Sequence, residues 1–185
     1  MRLTTPGAGG VHAVILAAGG SSRMGLPKAL LLVDGEVLIV AHVKAFAAVG
    51  ATVTVVVGAH AEAVRAVLPE DVRVVENSAW ATSDPARSAF LALTGQGDTF
   101  VMPVDVPPPT IDTLTRLLRV GPPAVPQFRG KNGHPALLGP PHILARLDVR
   151  TAGATSVAVD DADCVLNLNT PGDFAAWLAG RQAAR

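Results

Sequence analysis

Val11-His12-Ala13-Val14-Ile15-Leu16-Ala17-Ala18-Gly19-Gly20-Ser21-Ser22-Arg23-Met24-Gly25-Leu26-Pro27-Lys28 carries the first reading of this chain. The run Val11–Ala17 is apolar without alternation, apart from His12, as expected for a strand covered on both faces. It opens into a loop with paired glycines, two hydroxyls, an Arg and a Lys. Glycines let backbone N–H groups approach phosphate oxygens, and a succession of such groups forms an anion nest. Ser21 and Ser22 can donate hydrogen bonds, Arg23 can grip phosphate with a planar fork, and Lys28 supplies a mobile point charge. The loop therefore suits a triphosphate. The P-loop template fails, because Leu26 and Pro27 separate Gly25 from Lys28. The dinucleotide template fails as well, because Gly19 and Gly20 are adjacent and Gly25 is out of register. The bland alternative is a strand-to-helix turn with incidental charges.

Similar apolar runs recur at Thr52–Val57, Val72–Val75 and Thr99–Val104. Helical patterns alternate with them. One spans Val37–Val49, and a second carries Ala61, Val64, Val67 and Leu68 before Pro69. In a third, Asp84 stands as N-cap before Pro85, and Ala86, Ala89, Phe90 and Leu93 share one face. In a fourth, Thr110 caps a helix buried through Ile111, Leu114, Leu117 and Leu118. This order predicts an α/β fold with a mainly parallel sheet. Beyond Gly121 prolines and glycines crowd the chain and shorter strands are expected, with a small helix at Pro141–Leu147. Strand-like runs follow at Thr155–Val159 and Cys164–Leu168, then a last helix bearing Phe174, Trp177 and Leu178.

With 185 residues the chain is the size of one domain. We divide it into a loose tail (1–10), an NTP-binding part (11–120) and an acceptor-side part (121–185). Apolar residues make up 49% and charged residues 16%, which excludes a disordered chain and supplies a large core. Lys plus Arg equals Asp plus Glu at 15 each, so the basic excess of a nucleic-acid binder is missing. Aromatics at 4% with no Tyr argue against a base-stacking platform. The lone Cys164 forbids an internal disulfide and a multi-cysteine metal site, and fits a reducing cytoplasm. No stretch is long and apolar enough to predict a membrane span, and no secretory signal is expected. The histidines His12, His42, His60 and His142 lack metal-ligand spacing and are read as surface or satisfied core residues.

The string Leu16–Lys28 closely resembles the LAAGxSxRMGxxK signature of the molybdenum cofactor nucleotidyltransferases, the MobA-like and MocA-like NTP transferases. The Ala17-Ala18-Gly19 form is more similar to the cytidylyltransferase branch. The resemblance implies a three-layer α/β/α, Rossmann-like nucleotide-diphospho-sugar transferase fold. It also implies Mg²⁺ dependence and transfer of a nucleoside monophosphate from CTP or GTP to a molybdopterin-like phosphate acceptor. A molybdoenzyme or chaperone is the kind of protein partner it suggests. It assigns nucleotide contacts to Leu16, Ala17, Ala18, Gly19, Gly20, Ser21, Ser22 and Gly25, further binding roles to Asn77, Ser88 and His134, and catalytic roles to Arg23, Lys28 and Asp105.

Four further segments extend the resemblance. Asp105 ends the run Thr99–Val104, where a carboxylate at a parallel strand's C-terminal end faces the ligand crevice and suits Mg²⁺. It matches the metal-binding Asp of a GDMP-type motif, with Val104 and Val106 replacing the Gly and Met. Its bland alternative is a turn-forming Asp before prolines. Asn77, Trp80 and Ser88 resemble an Asn-x-x-aromatic segment leading to a Ser; Ser88 reads equally as an ordinary helix residue. Gly133-His134-Pro135 resembles a GHP motif on the acceptor side, with Arg129 and Lys131 nearby, although a solvated hairpin would also look like this. Asn167 and Asn169 stand where the family carries aspartates, and Asn169 is the candidate second metal ligand. An amide oxygen can ligate Mg²⁺ but brings no charge.

The expected reaction is attack of an acceptor phosphate oxygen on the α-phosphorus of the NTP, with pyrophosphate leaving. Rival readings are a guanylyltransferase, a sugar-phosphate nucleotidyltransferase of the same fold, and a non-catalytic NTP-binding regulator.

Overall fold

A computed structural model of the chain describes residues 10–82, 85–93, 97–140 and 153–183. The strand β1 (His12–Ala17) lies at the centre of the main sheet. β4 (Thr52–Val57) and β5 (Arg73–Glu76) lie successively on one side of it, and β6 (Thr99–Pro103) on the other. These four strands are parallel. Beyond β6 come β9 (Ala136–Leu138), β7 (Ala124–Phe128) and β10 (Thr155–Ala158), with β8 (Lys131–Asn132) paired to β7 as a hairpin. β9 runs antiparallel to both β6 and β7, so β7 regains the direction of β6, and β10 follows it.

Helices cover both faces, and the strand alternation shows which residues meet them. Ala13, Ile15 and Ala17 of β1 join Val53, Val55 and Val57 of β4 in the larger core. There they meet Ile39 and Phe46 of α1 (Leu38–Ala47), Val64 of α2 (Ala61–Arg65), and Leu114 and Leu117 of α4 (Ile111–Val120). Val14 and Ala18, together with Val56, form the opposite cluster beneath Ala92 of α3 (Pro85–Ala92). The result is a mostly parallel sheet between helical layers, as the continuous apolar runs predict. The Thr110 cap forms as expected, its hydroxyl accepting from the Thr113 amide at 3.2 Å.

Two elements depart from the sequence reading. A two-strand hairpin, β2 (Leu32–Val33) with β3 (Glu36–Val37), was not expected; Asp34 and Gly35 turn it with φ of 55° and 83°. Asp-Gly with both residues at positive φ marks a type I′ hairpin turn, so the signal was present. The run Cys164–Leu168 is not a strand. Ala162–Val165 forms a 3-10 turn and the chain then continues irregularly. Its apolar residues bury for other reasons: Cys164 joins the main core, and Leu168 packs with Val33, Leu38 and Trp177 of α5 (Pro171–Ala183). The tail to residue 9, the Asp84 cap and the Pro141–Leu147 helix lie outside the described residues. Among the described residues no helix is long and apolar enough to cross a membrane.

The topology locates a crevice. From β1 the chain winds outward to β4 and β5, then returns to lay β6 on the other side of β1. Ligands of open α/β sheets bind outside the strand C-termini at such a reversal. Pairing of Ala17 with Val57, and of Leu16 with Pro103, brings those three strand ends level.

Candidate active site

The loop after β1 forms one wall of a crevice of about 270 Å³. Gly19, Ser21, Ser22, Arg23 and Lys28 line it, facing Asp105 beyond β6 and Asn169 before α5. Ser21 sits at φ 52° and Gly25 at φ 71°, so the loop makes two left-handed bends. The Ser21 carbonyl accepts from the Met24 amide at 2.9 Å, and the Ser21 hydroxyl accepts from the Lys28 amide at 3.1 Å. The loop is thus tied to the start of the 3-10 turn Lys28–Leu30.

Lys28 links the three segments. Its Nζ donates to Asp105 Oδ2 at 3.2 Å and to Asn169 Oδ1 at 2.9 Å, with only 12% of the side chain exposed. Arg23 Nη2 reaches the same Asn169 oxygen at 3.5 Å. Two backbone bonds hold the frame: Val104 N donates to Leu16 O at 3.0 Å, and Leu168 N to Asp105 O. Asn169 is delivered by the cap of α5. Asp173 Oδ2 accepts from the Asn169 and Thr170 amides at 3.1 and 2.8 Å, while Thr170 Oγ1 accepts from the Asp173 amide. This is a reciprocal capping arrangement. Hydrogen bonding with Thr170, side chain first and then amide, holds the Asp173 carboxyl below its usual range; the Asn169 amide and the charge of Lys28 act in the same direction.

A second wall comes from the segment after β5. Asn77 is buried and donates through Nδ2 to Ser88 Oγ at 2.8 Å, while its Oδ1 accepts from the Ala79 amide at 3.0 Å. That local turn presents Trp80, which is 39% exposed, against the glycine loop. A Cβ on Gly20 would stand 3.1 Å from the Trp80 ring, and one on Gly58 would stand 2.5 Å from Ala18 O. The close approach of these segments requires glycine at position 58.

Of the residues expected at the site, Leu16, Ala18, Gly19, Ser21, Ser22, Arg23, Lys28, Ser88, Asp105 and Asn169 line the crevice. Ala17, Gly20, Gly25, Asn77 and His134 are not among the residues that line it. The His134 amide donates to Cys164 O at 2.8 Å, and a Cβ on the adjacent Gly133 would collide with that same carbonyl. Sequence reasoning missed His60, whose Nε2 lies 3.3 Å from Gly20 O. A carbonyl can only accept, so Nε2 donates. Nothing local in the sequence marks that contact, which spans 40 positions.

His42 is neither the surface residue nor the satisfied core residue that its lack of metal-ligand spacing suggests. It is fully buried on α1, and neither ring nitrogen has a hydrogen-bond partner among the described residues. Burial lowers its pKa to about 3. Among the described residues no group of three or more His, Cys, Asp or Glu side chains is placed to hold a metal ion.

Residues 13–160 match the family model of the MobA-like NTP transferase domain. Comparison with curated proteins finds no match. Among solved structures, the chain is 28% identical to Rv0371c from Mycobacterium tuberculosis H37Rv, covering 93% of this chain and 99% of that one with a TM-score of 0.78. An Rv0371c homolog from Mycobacterium sp. strain JC1 is 25% identical, with coverage of 95% and 98% and a TM-score of 0.79. Rv0371c has also been solved as a complex with manganese. A nucleotidyl transferase from Methanothermobacter thermautotrophicus, at 24% identity, shares the fold over 97% of this chain and 100% of that one, with a TM-score of 0.79. The loop, the crevice at the strand reversal and the family match over most of the chain lead to one assignment: the chain belongs to the MobA-like NTP transferase family and is a nucleotidyltransferase.

Proposed function

We propose that the chain moves a nucleoside monophosphate, CMP in preference to GMP, from an NTP to a phosphate acceptor of the molybdopterin class, releasing pyrophosphate. The observation that carries this reading is the meeting of Lys28, Asp105 and Asn169 at the mouth of the glycine loop, with Arg23 alongside. Two cations at one crevice wall suit a polyanion, and the neighbouring carboxylate suits a hard cation.

An oxygen of the acceptor phosphate attacks the α-phosphorus. The new P–O bond forms as the bond to pyrophosphate breaks. A phosphate monoester is largely dianionic at neutral pH, with a second pKa of about 6, so no general base is required. Catalysis then rests on positioning and charge neutralisation. Arg23 and Lys28 grip the triphosphate and offset charge on the leaving pyrophosphate, while the amides of the glycine loop cradle phosphate oxygens. The base lies over Ala17–Gly20, beside the indole of Trp80 and the hydroxyl of Ser88.

Mg²⁺ fits this donor set in a restricted way. Asp105 offers a carboxylate and Asn169 an amide oxygen, and both already accept from Lys28. Hard cations of this size take one or two carboxylates and complete their shell with water and substrate phosphates. Bound there, the ion would neutralise phosphate charge.

Pyrophosphate release with CTP, GTP, ATP and UTP, each with and without a molybdopterin source, tests the reading. Release with CTP that depends on the pterin is the expected result. Release that needs a sugar phosphate instead would replace the acceptor, and nucleotide binding without release in every arm would favour the regulatory reading.

A further inference from the structure

A neutral polar cluster stands on the outer strands, away from the charged end of the crevice. Gln127 Nε2 donates to Asn132 Oδ1 at 3.0 Å, and Ser156 Oγ donates to the same oxygen at 3.0 Å. The three residues come from β7, β8 and β10. Side chains alternate along a strand, and residues paired across neighbouring strands share a face. Leu16 pairs with Pro103, and Val101, two residues before Pro103, pairs with Ala136. Pairing of Ala124 with Leu137 sets Ala136 beside Val125, and Val125 pairs with Ser156. Gln127, two residues on from Val125, pairs with Asn132. The cluster therefore shares a sheet face with Leu16 and Pro103, which line the crevice. Because β9 is antiparallel to β6, stepping back from Ala136 to Asn132 moves toward the end of β6 that leads to Asp105. Gln127 lies two strand spacings from β6, about 10 Å.

Both bonds reach Asn132 from the β7 and β10 side, so its Oδ1 turns that way and its Nδ2 turns away from those strands. Asn132 Nδ2 and Gln127 Oε1 make no hydrogen bond among the described residues, and Asn132 is exposed. A fixed donor thus stands beside a fixed acceptor, and none of the three side chains is ionisable. We propose that Gln127 and Asn132 recognise the far end of the phosphate acceptor, and that this end is a neutral ring with an amide-like edge. Asn132 Nδ2 donates to the ring carbonyl, and Gln127 Oε1 accepts from the adjacent ring N–H. Ser156 holds Asn132 in that orientation. The acceptor then has two unlike ends, an anionic one at the cationic wall of Arg23 and Lys28 and an uncharged one about 10 Å away across the sheet. The lactam edge of a pterin presents a carbonyl beside an N–H. The hydroxyls of a sugar rotate and present no fixed pattern. The inference rests on the nucleotidyl-transfer reading above and names which part of the acceptor this chain selects.

Two variants test it with the intact chain. Asn132→Asp keeps an oxygen for Gln127 and Ser156 but loses the N–H donors, so it separates recognition from support of the hairpin. Gln127→Met keeps length and neutrality and loses the ring-facing oxygen. In pyrophosphate release at saturating CTP, the KM for molybdopterin should rise about tenfold in Asn132→Asp and about fivefold in Gln127→Met, the scale of one lost hydrogen bond. The kcat, the KM for CTP and the melting temperature should stay at parent values, as expected for binding energy shared by ground and transition states. An unchanged molybdopterin KM in both variants, or a KM for CTP that rises in step with it, overturns the inference. Should the parent release no pyrophosphate with molybdopterin, the proposed acceptor falls, and equilibrium titration with the fluorescent pterin neopterin decides the cluster's role. Binding to the parent that weakens in both variants supports it; no binding, or equal binding in all three proteins, overturns it.

Discussion

Replacing His42 with Leu should remove much of the protein's sensitivity to mild acid. The ring is fully buried, unpartnered among the described residues, and its pKa falls from 6.5 to about 3 through burial alone. The neutral ring is therefore the native form. Below pH 6.5 the unfolded chain takes up a proton at this residue and the folded chain does not. Stability is full above pH 6.5 and declines as pH falls toward 3, by up to about 1.4 kcal/mol per pH unit. At pH 5 the loss comes to about 2 kcal/mol. Leu fills a similar volume, suits a helix interior and carries no proton. At pH 7.5 it also relieves two unpaired nitrogens, which cost about 1–3 kcal/mol when buried. Urea unfolding at pH 7.5 and 5.0 measures the difference. His42→Leu should equal or exceed the parent at pH 7.5 and lose about 2 kcal/mol less on acidification. All other titrating groups are common to both proteins, so they cancel. An identical pH dependence in the two proteins would refute the argument, because it would mean that the buried ring is solvated or paired in solution.

Lys28→Ala and Asp105→Ala should each lower turnover by about a hundredfold or more, the effect of losing one transition-state donor, and a near-parent rate in a pyrophosphate-release assay would remove that residue from the mechanism. His60→Ala should weaken NTP binding about fivefold, the equivalent of about 1 kcal/mol, by freeing the Gly20–Ser21 peptide that the 3.3 Å contact orients. His60→Gln, which keeps a donor, should recover most of that loss, and nucleoside binding should not change in calorimetry. Gly58→Ala should destabilise by about 1–3 kcal/mol and weaken nucleotide binding, since its Cβ would stand 2.5 Å from Ala18 O and 2.7 Å from Trp80 Cβ; an unchanged melting temperature would show that the two segments part easily.

The parallel half of the sheet was legible because each strand is a short β-branched run and each covering helix shows its own period. Thr110 could be placed as a cap from its position ahead of an amphipathic stretch, and the glycine loop from its residue types alone. Long-range partners left no such mark. Insertion of β9 between β6 and β7 is set by which edges pair, and the local sequence of Ala136–Leu138 does not encode it. The segment Cys164–Leu168 has strand-like residues, but its backbone serves other partners: Cys164 O accepts from His134 N, and Leu168 N donates to a loop carbonyl at Asp105. His42 shows the same limit from inside the core. Helical spacing puts it on the buried face, while only the packed neighbours reveal that its nitrogens find no acceptor or donor among the described residues.

Lys28 and Asn169 touch across 141 positions of chain, and Asp105 meets Lys28 across 77. During vectorial synthesis the glycine loop leaves the ribosome long before the residues that complete its charge pattern. A nascent chain that has folded through β6 can offer the loop and Asp105, yet it lacks the amide that pins the ammonium and the cap that delivers it. The contact network of the crevice therefore closes only once residues 169–173 have been made.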